Sequence, residues 1–152
     1  MSTNIHRWPA QQRVRTGAVA EALPPELADC TRVLLATTRS LAKSEIATAT
    51  RQALGAKLVA EHATMRAHSP VEDVLALAAL LRATGAERVV ALGGGSVIDG
   101  AKVACRAVWA GAADKAALIG LSVSRGAETE GWDTTEPTPR IVAVPTKSSS
   151  GR

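Results

Sequence analysis

The chain has 152 residues, a length that suits one domain, and its formal net charge is +4. Hydrophobic residues make up 46% of it and charged residues only 21%, which excludes a disordered chain, and no apolar run is long enough to span a bilayer. The basic residues are scattered and do not alternate with aromatic residues as a stacking platform requires, which argues against nucleic acid as a partner.

The cellular compartment is predicted from the cysteines and the N-terminus. Cys30 and Cys105 stand far apart with no CxxC spacing, which is typical of buried, reduced thiols. The first residues, MSTNIHRWPAQQR, contain no apolar segment of the kind that a secretion signal needs. We therefore expect a cytoplasmic protein with a flexible N-terminus over residues 1–12.

The first part of the chain predicts short strands and helices. The Pro24-Pro25 pair favours the start of a helix, because proline is tolerated in a first helical turn. Gly55 stands where a left-handed helix end is expected. The predicted elements are, in order, a strand around Val14, a short helix from the proline pair, a strand over 32–37, a helix over 41–54 and a strand over 57–60.

The second part begins with the sharpest helix signal. Ser69 can cap the helix, Pro70 takes its first position and Glu72 completes a capping box, while Gly85 ends it. The remaining predicted elements are a strand over 88–92, a glycine turn over 93–96, a helix over 97–110, a short helix over 112–121, a surface loop over 124–140 and a strand over 141–145. Strands that alternate with helices in this rhythm indicate an α/β fold, a parallel sheet with helices on both faces.

The glycines at 93–95 point to a ligand. They lie between a buried strand and a helix, where a ligand can approach the backbone closely and the first N–H groups of the helix attract an anion. Lys102 adds positive charge nearby, so the segment predicts a phosphate or pyrophosphate group as its ligand.

Two common glycine motifs do not fit this segment. Ile98 stands where the GxGxxG pattern requires glycine, and Ala101 displaces Lys102 by one residue from its place in a P-loop. A glycine-rich connection that binds nothing remains the alternative.

The segment GGGSVIDGAK at 93–102 resembles the GGGSxxDxAK signature of the iron-containing alcohol dehydrogenase family, which includes maleylacetate reductases and glycerol dehydrogenase. Further resemblances follow in order. They are RVLLATTRSL at 32–41, similar to the family's first nucleotide-binding strand and turn, ATMRAHSPVE at 63–72, similar to the segment before a helix in maleylacetate-reductase-like members, and IVAVPT at 141–146, similar to the strand before its proline-threonine motif.

The resemblance implies a Rossmann-like, dinucleotide-binding domain over 13–146, the N-terminal domain of a dehydroquinate-synthase-like two-domain architecture. It implies NAD(H) or NADP(H) as the cofactor and partner. By position, Gly94, Gly95 and Ser96 would contact the pyrophosphate, Asp99 and Lys102 would lie near the nicotinamide ribose, Thr146 would lie near the adenosine, and Thr37, Thr38, Arg39 and Gly93 complete the cofactor-binding set. For Asp99, a carboxylate that offsets the helix dipole without touching a ligand is the alternative.

One departure from the family concerns the cofactor. Many members have an aspartate after the first strand, whereas this chain has Thr38 followed by Arg39. An aspartate would repel a 2′-phosphate and an arginine can bind one, so we expect that NADP(H) is tolerated or preferred. A solvated turn is the alternative role of Arg39.

A second departure follows Thr146. The chain continues with Lys147 and three serines, so we expect 147–152 to be a truncated or aberrant tail and the family's C-terminal metal-binding domain to be absent. The family binds Fe²⁺ or Zn²⁺ there through an aspartate and three histidines. We therefore expect no catalytic residue and no metal ligand in this chain, and no metal cluster from His6, His62 and His68. His62 and His68 flank a loop, and we expect them to be exposed to solvent, with a place near the edge of the cofactor as the alternative. We expect Cys105 to be a core residue.

Three hypotheses on function follow. The chain is the NAD(P)-binding domain of a metal-dependent alcohol or oxoacid oxidoreductase, inactive alone; or a non-catalytic nucleotide-binding module; or a degraded gene product. Its protein partner would be the missing C-terminal domain or a second copy.

Overall fold

The computed structural model describes residues 5–7, 13–123 and 138–146. Its elements are β1 (Ile5–Arg7), β2 (Arg13–Arg15), α1 (Val19–Glu26), β3 (Val33–Ala36), α2 (Glu45–Leu54), β4 (Leu58–His62), α3 (Val71–Thr84), β5 (Arg88–Gly93), α4 (Gly95–Ala110), α5 (Lys115–Val123) and β6 (Arg140–Pro145). β1 and β2 pair in antiparallel fashion, and the other strands form a parallel sheet in the order β4-β3-β5-β6.

The central strands β3 and β5 are buried on both faces, and their side chains alternate between two cores. Leu34 and Val89 face the core that packs with α3 and α4, while the opposite face packs with α1 and α2. The first core includes Leu34, Ala36, Val89, Ala91, Leu77 and Ala104, and the second includes Val33, Leu35, Val90, Leu92, Leu23 and Ala47. The prediction of a parallel sheet with helices on both faces is confirmed.

The connections between strands place a crevice at one edge of the sheet. The chain leaves β3 through α2 on one face of the sheet and leaves β5 through α4 on the other face. β3 and β5 are neighbours, so the connections that leave them diverge. In open α/β sheets, ligands bind in the crevice beyond the carboxyl ends of two such strands.

Thr37 ties the carboxyl ends of three strands together. It follows β3 directly and is fully buried. Its N–H donates to the carbonyl of His62 at 2.9 Å, and its carbonyl accepts from the N–H of Met65 at 3.2 Å. Its hydroxyl donates to the carbonyl of Leu92 at 2.8 Å. The floor of the crevice is therefore cross-linked by hydrogen bonds from β4 through β3 to β5.

The starts of the first two helices differ from the predictions. The prediction that Pro24-Pro25 starts a helix is wrong, because both prolines lie in the last turn of α1. The helix ends there because prolines have no N–H to donate to the preceding turn. Residues 41–43 form a separate 3₁₀ turn, and α2 begins at Glu45 because the Ser44 hydroxyl accepts from the N–H of Ala47.

The predicted capping box of α3 is also wrong. Pro70 is the N-cap and makes no side-chain cap bond, because the Ser69 hydroxyl donates instead to the carbonyl of Ser96 on α4. The end of this helix at Gly85 is confirmed, with φ at +63°. Gly55 also ends α2 with a positive φ, +55°, but its ψ of −130° lies outside the left-handed helical region, so the predicted left-handed helix end is wrong there.

Several predictions lie partly or wholly outside the described residues. The segment 1–12 contains β1, and its other residues are outside the described ranges. The predicted loop is described only over Thr138–Arg140, and the tail over 147–152 is not described. Among the helices that the structure describes, none combines the length and apolar character that crossing a membrane requires.

Candidate functional site

Gly93 ends β5 in a conformation that only glycine adopts easily. Its φ is +154°, and a Cβ added there would lie 2.7 Å from Cγ2 of Val97. Its carbonyl accepts from the N–H of Thr146 at 3.1 Å, which ties the residue after β6 to the same edge of the sheet. The fold alone therefore requires glycine at position 93, whether or not a ligand binds.

The fold does not require glycine at positions 94 and 95. Gly94 has an extended φ of −87°, and a Cβ added to either residue would meet nothing within 4 Å. Gly94 is the N-cap of α4 and Gly95 begins the helix, whose first turn contains no acidic residue. The first N–H groups of a helix have no carbonyl partner within it. Open space beside these N–H groups fits a phosphate group.

Ser96 adds a hydroxyl to the same place. Its Oγ accepts from the N–H of His68 at 3.0 Å, so the proton of this hydroxyl is left to donate elsewhere. The carbonyl of Ser96 accepts from the Ser69 hydroxyl. His68 and Ser69 have positive φ angles of +64° and +48°, a strained conformation of the kind that concentrates at functional sites. The loop before α3 is thus held against the start of α4.

A cleft of about 500 Å³ opens beside the start of α4. Its lining combines polar side chains, among them Ser96 and Asp99, with apolar side chains from α3, α4 and α5. The lining residues are His68, Ser69, Val71, Val74, Gly95, Ser96, Asp99, Val103 and Leu118. Such a cleft suits a ligand that joins an anionic group to a less polar ring.

A second cleft, of about 470 Å³, lies beyond β3 and β4. It is lined by Arg39, Thr64, Met65, Arg66 and Asp73. The Arg66 guanidinium and the Asp73 carboxylate form an ion pair with an Nη2–Oδ1 distance of 2.9 Å. Hydrogen bonds from Arg66 hold the pKa of Asp73 below its usual value, so this carboxylate is ionised near neutral pH.

The predicted cofactor-binding residues are distributed over these features. Gly95, Ser96 and Asp99 line the first cleft, and Arg39 lines the second. The Thr38 hydroxyl accepts from the N–H of Leu41, and Lys102 is exposed on α4 but lines neither cleft. The Thr37 hydroxyl is buried and already bonded, which leaves it a supporting role beneath the crevice.

The expectation that His62 is exposed is wrong. Only 8% of it is exposed, because it ends β4 next to the buried strand β3. Its Nδ1 is buried and has no hydrogen-bond partner among the described residues. His68 is exposed, as expected. Burial lowers the pKa of His62, an effect that the nearby charge of Asp73 partly opposes.

Acid is expected to destabilise the fold through His62. Since its pKa is lower in the folded chain than the ordinary 6.5, the unfolded chain binds the proton more readily. The free energy of unfolding should fall as the pH drops below about 6.5 and level off below the lowered pKa. Urea unfolding between about pH 7.5 and about pH 5 measures this. The fall should vanish in His62→Leu and persist in His68→Gln; an unchanged slope in His62→Leu would contradict the assignment.

Some residues of the two clefts were not predicted from the sequence. Ser69 was expected to cap α3, and Thr64, Arg66 and Asp73 carry no motif that distinguishes them from surface residues. The ion pair between Arg66 and Asp73 depends on how the loop before α3 folds back onto that helix. Only the resemblance of 63–72 to a family segment drew attention to this loop.

Two other kinds of chemistry, a cysteine nucleophile and a metal centre, find little support in the described residues. Cys105 is a core residue, as expected, and burial raises its pKa to about 12, which makes it a poor nucleophile. No group of three or more histidine, cysteine, aspartate or glutamate residues that could hold a metal ion occurs over 5–7, 13–123 and 138–146.

Known proteins resemble this chain over parts of their length. It is 39% identical over 74 residues to dehydrogenase FUM7 of Gibberella moniliformis, a match that covers 48% of this chain and 18% of that protein. The chain therefore spans less than a fifth of that relative's length.

Solved structures share the fold. The aldehyde reductase YqhD from E. coli, in a form free of substrate and cofactor, is 22% identical with a TM-score of 0.67, over 84% of this chain and 32% of that one. Sulfoacetaldehyde reductase from Bifidobacterium kashiwanohense, in complex with NAD+, is 23% identical with a TM-score of 0.62, over 86% and 32%. Maleylacetate reductase from Agrobacterium tumefaciens is 28% identical with a TM-score of 0.50, over 57% and 25%.

The family model of the iron-containing alcohol dehydrogenases matches residues 9–152, nearly the whole chain. This match agrees with the parallel sheet, with the glycine-rich start of α4 and with the shared fold of the reductases. The chain therefore belongs to the iron-containing alcohol dehydrogenase family.

Proposed function

We propose that this chain is the nicotinamide-dinucleotide-binding domain of a metal-dependent alcohol or oxoacid oxidoreductase. The observation that carries the proposal is the start of α4, where Gly94 and Gly95 leave open space that the fold does not require. The free N–H groups and the Ser96 hydroxyl surround that space with donors. A pyrophosphate fits this donor set, and a side chain at either glycine would fill the space it needs.

The remaining groups have roles that follow from their positions. The first cleft is lined by Gly95 and Ser96 of this anion site, by Asp99 and by apolar residues of α3, α4 and α5, and we assign it to the nicotinamide ribose and ring. Thr37 and Thr146 support the crevice floor through hydrogen bonds at the strand ends. The dinucleotide, when bound, supplies the hydride that a dehydrogenase transfers. Thr38 and Arg39, in place of an aspartate, support acceptance of NADP(H) as well as NAD(H).

Metal and substrate binding are assigned to a second domain. The reductase structures match this chain over about a third of their own length, and the described residues of this chain offer no metal cluster. No metal-dependent step is therefore assigned to these residues. The 152-residue chain alone is expected to turn over no alcohol, with the second domain or a second copy as its partner. A cytoplasmic location is supported by Cys30 and Cys105, which are both free thiols.

Titration of NADH onto the purified chain, followed by calorimetry, tests this proposal. We expect saturable binding, and Ser96→Ala should raise Kd about fivefold because one hydrogen bond to the pyrophosphate is lost. Thr48→Ala, which removes an exposed hydroxyl on α2 away from both clefts, is the matched control and should leave Kd unchanged.

The outcome also separates the other hypotheses. A folded chain that binds neither NADH nor NADPH would contradict the proposal and favour a degraded gene product. Binding without any activity, even when the relatives' metal is added, fits both the proposed domain and a non-catalytic nucleotide-binding module. Restored turnover on adding a separately expressed metal-binding domain of a relative distinguishes those two.

A further inference from the structure

The loop before α3 holds His68 beside the first cleft. The N–H of His68 donates to the Ser96 hydroxyl at 3.0 Å, and the hydroxyl of the next residue, Ser69, donates to the carbonyl of Ser96. Met65 of the same loop is buried against α4, where a Cβ added to Gly100 would lie 2.9 Å from Cε of Met65. These contacts fix the backbone of the loop on the first two turns of α4.

The His68 imidazole is available to a ligand. It is exposed and lines the first cleft, and no hydrogen bond or ion pair of its ring is found within the described part of the chain. Its φ of +64° is a conformation that residues with a side chain rarely adopt, and the hydrogen bonds to Ser96 hold it there. The fold therefore maintains a strained backbone at the residue that places an unpaired imidazole in the cleft wall.

Only two groups in the wall of the first cleft can carry a charge. Among the described residues that line it these are His68 and Asp99, and α3 and α5 contribute apolar side chains alone. On the loop and α3, Arg66 and Asp73 pair with each other and line the second cleft instead. The charged side chains of α3 and α4 that are nearest in sequence and line neither cleft are Glu72 and Lys102.

A pyrophosphate at the start of α4 would bring negative charge close to the Asp99 carboxylate. The helix N–H groups and the Ser96 hydroxyl can bind it, but they supply only partial charges. Within the described wall of the cleft, the His68 imidazole is the one group that can become a cation. Histidine gains this charge between about pH 8 and about pH 5.

We propose that the protonated imidazole of His68 binds the pyrophosphate and makes dinucleotide binding tighter as the pH falls. The inference rests on the proposed function and adds a control of the same site by pH. The imidazolium donates a charge-assisted hydrogen bond to a phosphate oxygen, which the neutral ring does less strongly. Because the ligand prefers the protonated form, binding promotes proton uptake and the Kd rises with pH.

ADP-ribose and NAD+ measure the effect by calorimetry on the full chain at about pH 7.5 and about pH 5.5. Both contain a pyrophosphate diester whose charge does not change in this range, and ADP-ribose lacks the nicotinamide. We expect the Kd of ADP-ribose to be about fivefold lower at the lower pH. Titrations in two buffers of different ionisation enthalpy should also show net proton uptake at about pH 6.5.

Three variants identify the titrating group. His68→Asn removes the cation with a residue that tolerates a positive φ, so the pH dependence should disappear. His68→Lys is charged at both pH values and should bind ADP-ribose at about pH 7.5 as tightly as the wild type does at about pH 5.5. His62→Leu is the matched control, since it removes a buried histidine that lines neither cleft, and it should keep the pH dependence.

Two results would overturn the inference and leave the proposed function intact. One is an equal pH dependence in His68→Asn and the wild type, and the other is a response to pH by NAD+ alone, which would place the imidazole at the nicotinamide. A loss of the pH dependence in Asp99→Asn but not in His68→Asn would likewise overturn it. If the folded chain binds neither ligand at either pH, the proposed function itself is contradicted. Thermal unfolding at both pH values confirms that each variant is folded.

Discussion

Gly95→Asp is expected to stabilise helix α4 and to weaken dinucleotide binding at least about a hundredfold. Gly95 is exposed in the first turn of the helix, and a Cβ there would meet nothing within 4 Å. A carboxylate near a helix N-terminus contributes about 0.3–1 kcal/mol of stability, and aspartate is a slightly better helix former than glycine. The fold therefore gains from the same substitution that places a negative charge in the proposed pyrophosphate site.

The loss of affinity follows from the repulsion between like charges. Two unit charges about 4 Å apart interact by about 4 kcal/mol at an effective dielectric constant of about 20. Because solvent at this exposed site reduces the repulsion, we expect at least about a hundredfold rise in the Kd of NADH, equivalent to about 2.7 kcal/mol. Calorimetric titration and thermal unfolding of the same sample measure the two effects together.

Gly95→Asn provides the control, because its side chain has a similar size without the charge. We expect a smaller loss of affinity from Asn than from Asp, because the Asn side chain occupies space that the ligand needs but does not repel its charge. If Gly95→Asp bound NADH as tightly as the wild type, the start of α4 would not be the pyrophosphate site. If Gly95→Asp unfolded the chain, the space beside Gly95 would not be open as described.

Gly93 is only two residues before Gly95, yet Gly93→Ala is expected to destabilise the fold by roughly 3 kcal/mol. Its φ of +154° is unfavourable for any residue with a side chain, and the added Cβ would lie 2.7 Å from Cγ2 of Val97. Since Gly93 also lies within the buried strand β5, the neighbouring backbone has little room to shift. Urea unfolding at constant pH measures the change in free energy.

Gly94→Ala is the matched control for this effect. Its extended backbone and open surroundings leave only the cost of an alanine at the N-cap of α4, about 1 kcal/mol. Val97→Ala should cost less stability in the Gly93→Ala chain than in the wild type, because it removes the methyl group that the new Cβ meets. Equal stabilities of Gly93→Ala and Gly94→Ala would show that Gly93 is not held as described.

Strong local patterns made much of the fold predictable. The apolar runs of β3 and β5 contain strand formers, and strands buried on both faces read as such runs in the sequence. The end of α3 was predicted because Gly85 adopts the left-handed conformation that its residue type favours. The glycines at 93–95 likewise indicated, from the sequence alone, where helix α4 begins.

Features that depend on distant parts of the chain were not predicted. The burial of His62 follows from its place beside β3. Ser69 had the right residue type for a cap, yet its hydroxyl found a partner on α4, which is distant in sequence. A local pattern cannot show such competition between partners. For the same reason, the second cleft and its pair of Arg66 and Asp73 emerged only with the folded structure.

The hydrogen bonds of Thr37 bear on the entropy of binding. Its N–H, its carbonyl and its hydroxyl each join the end of β3 to a neighbouring segment. The strand ends beneath the crevice therefore have few alternative arrangements to lose when a ligand arrives. A preorganised floor of this kind leaves the conformational cost of binding to the ligand and to the exposed side chains around it.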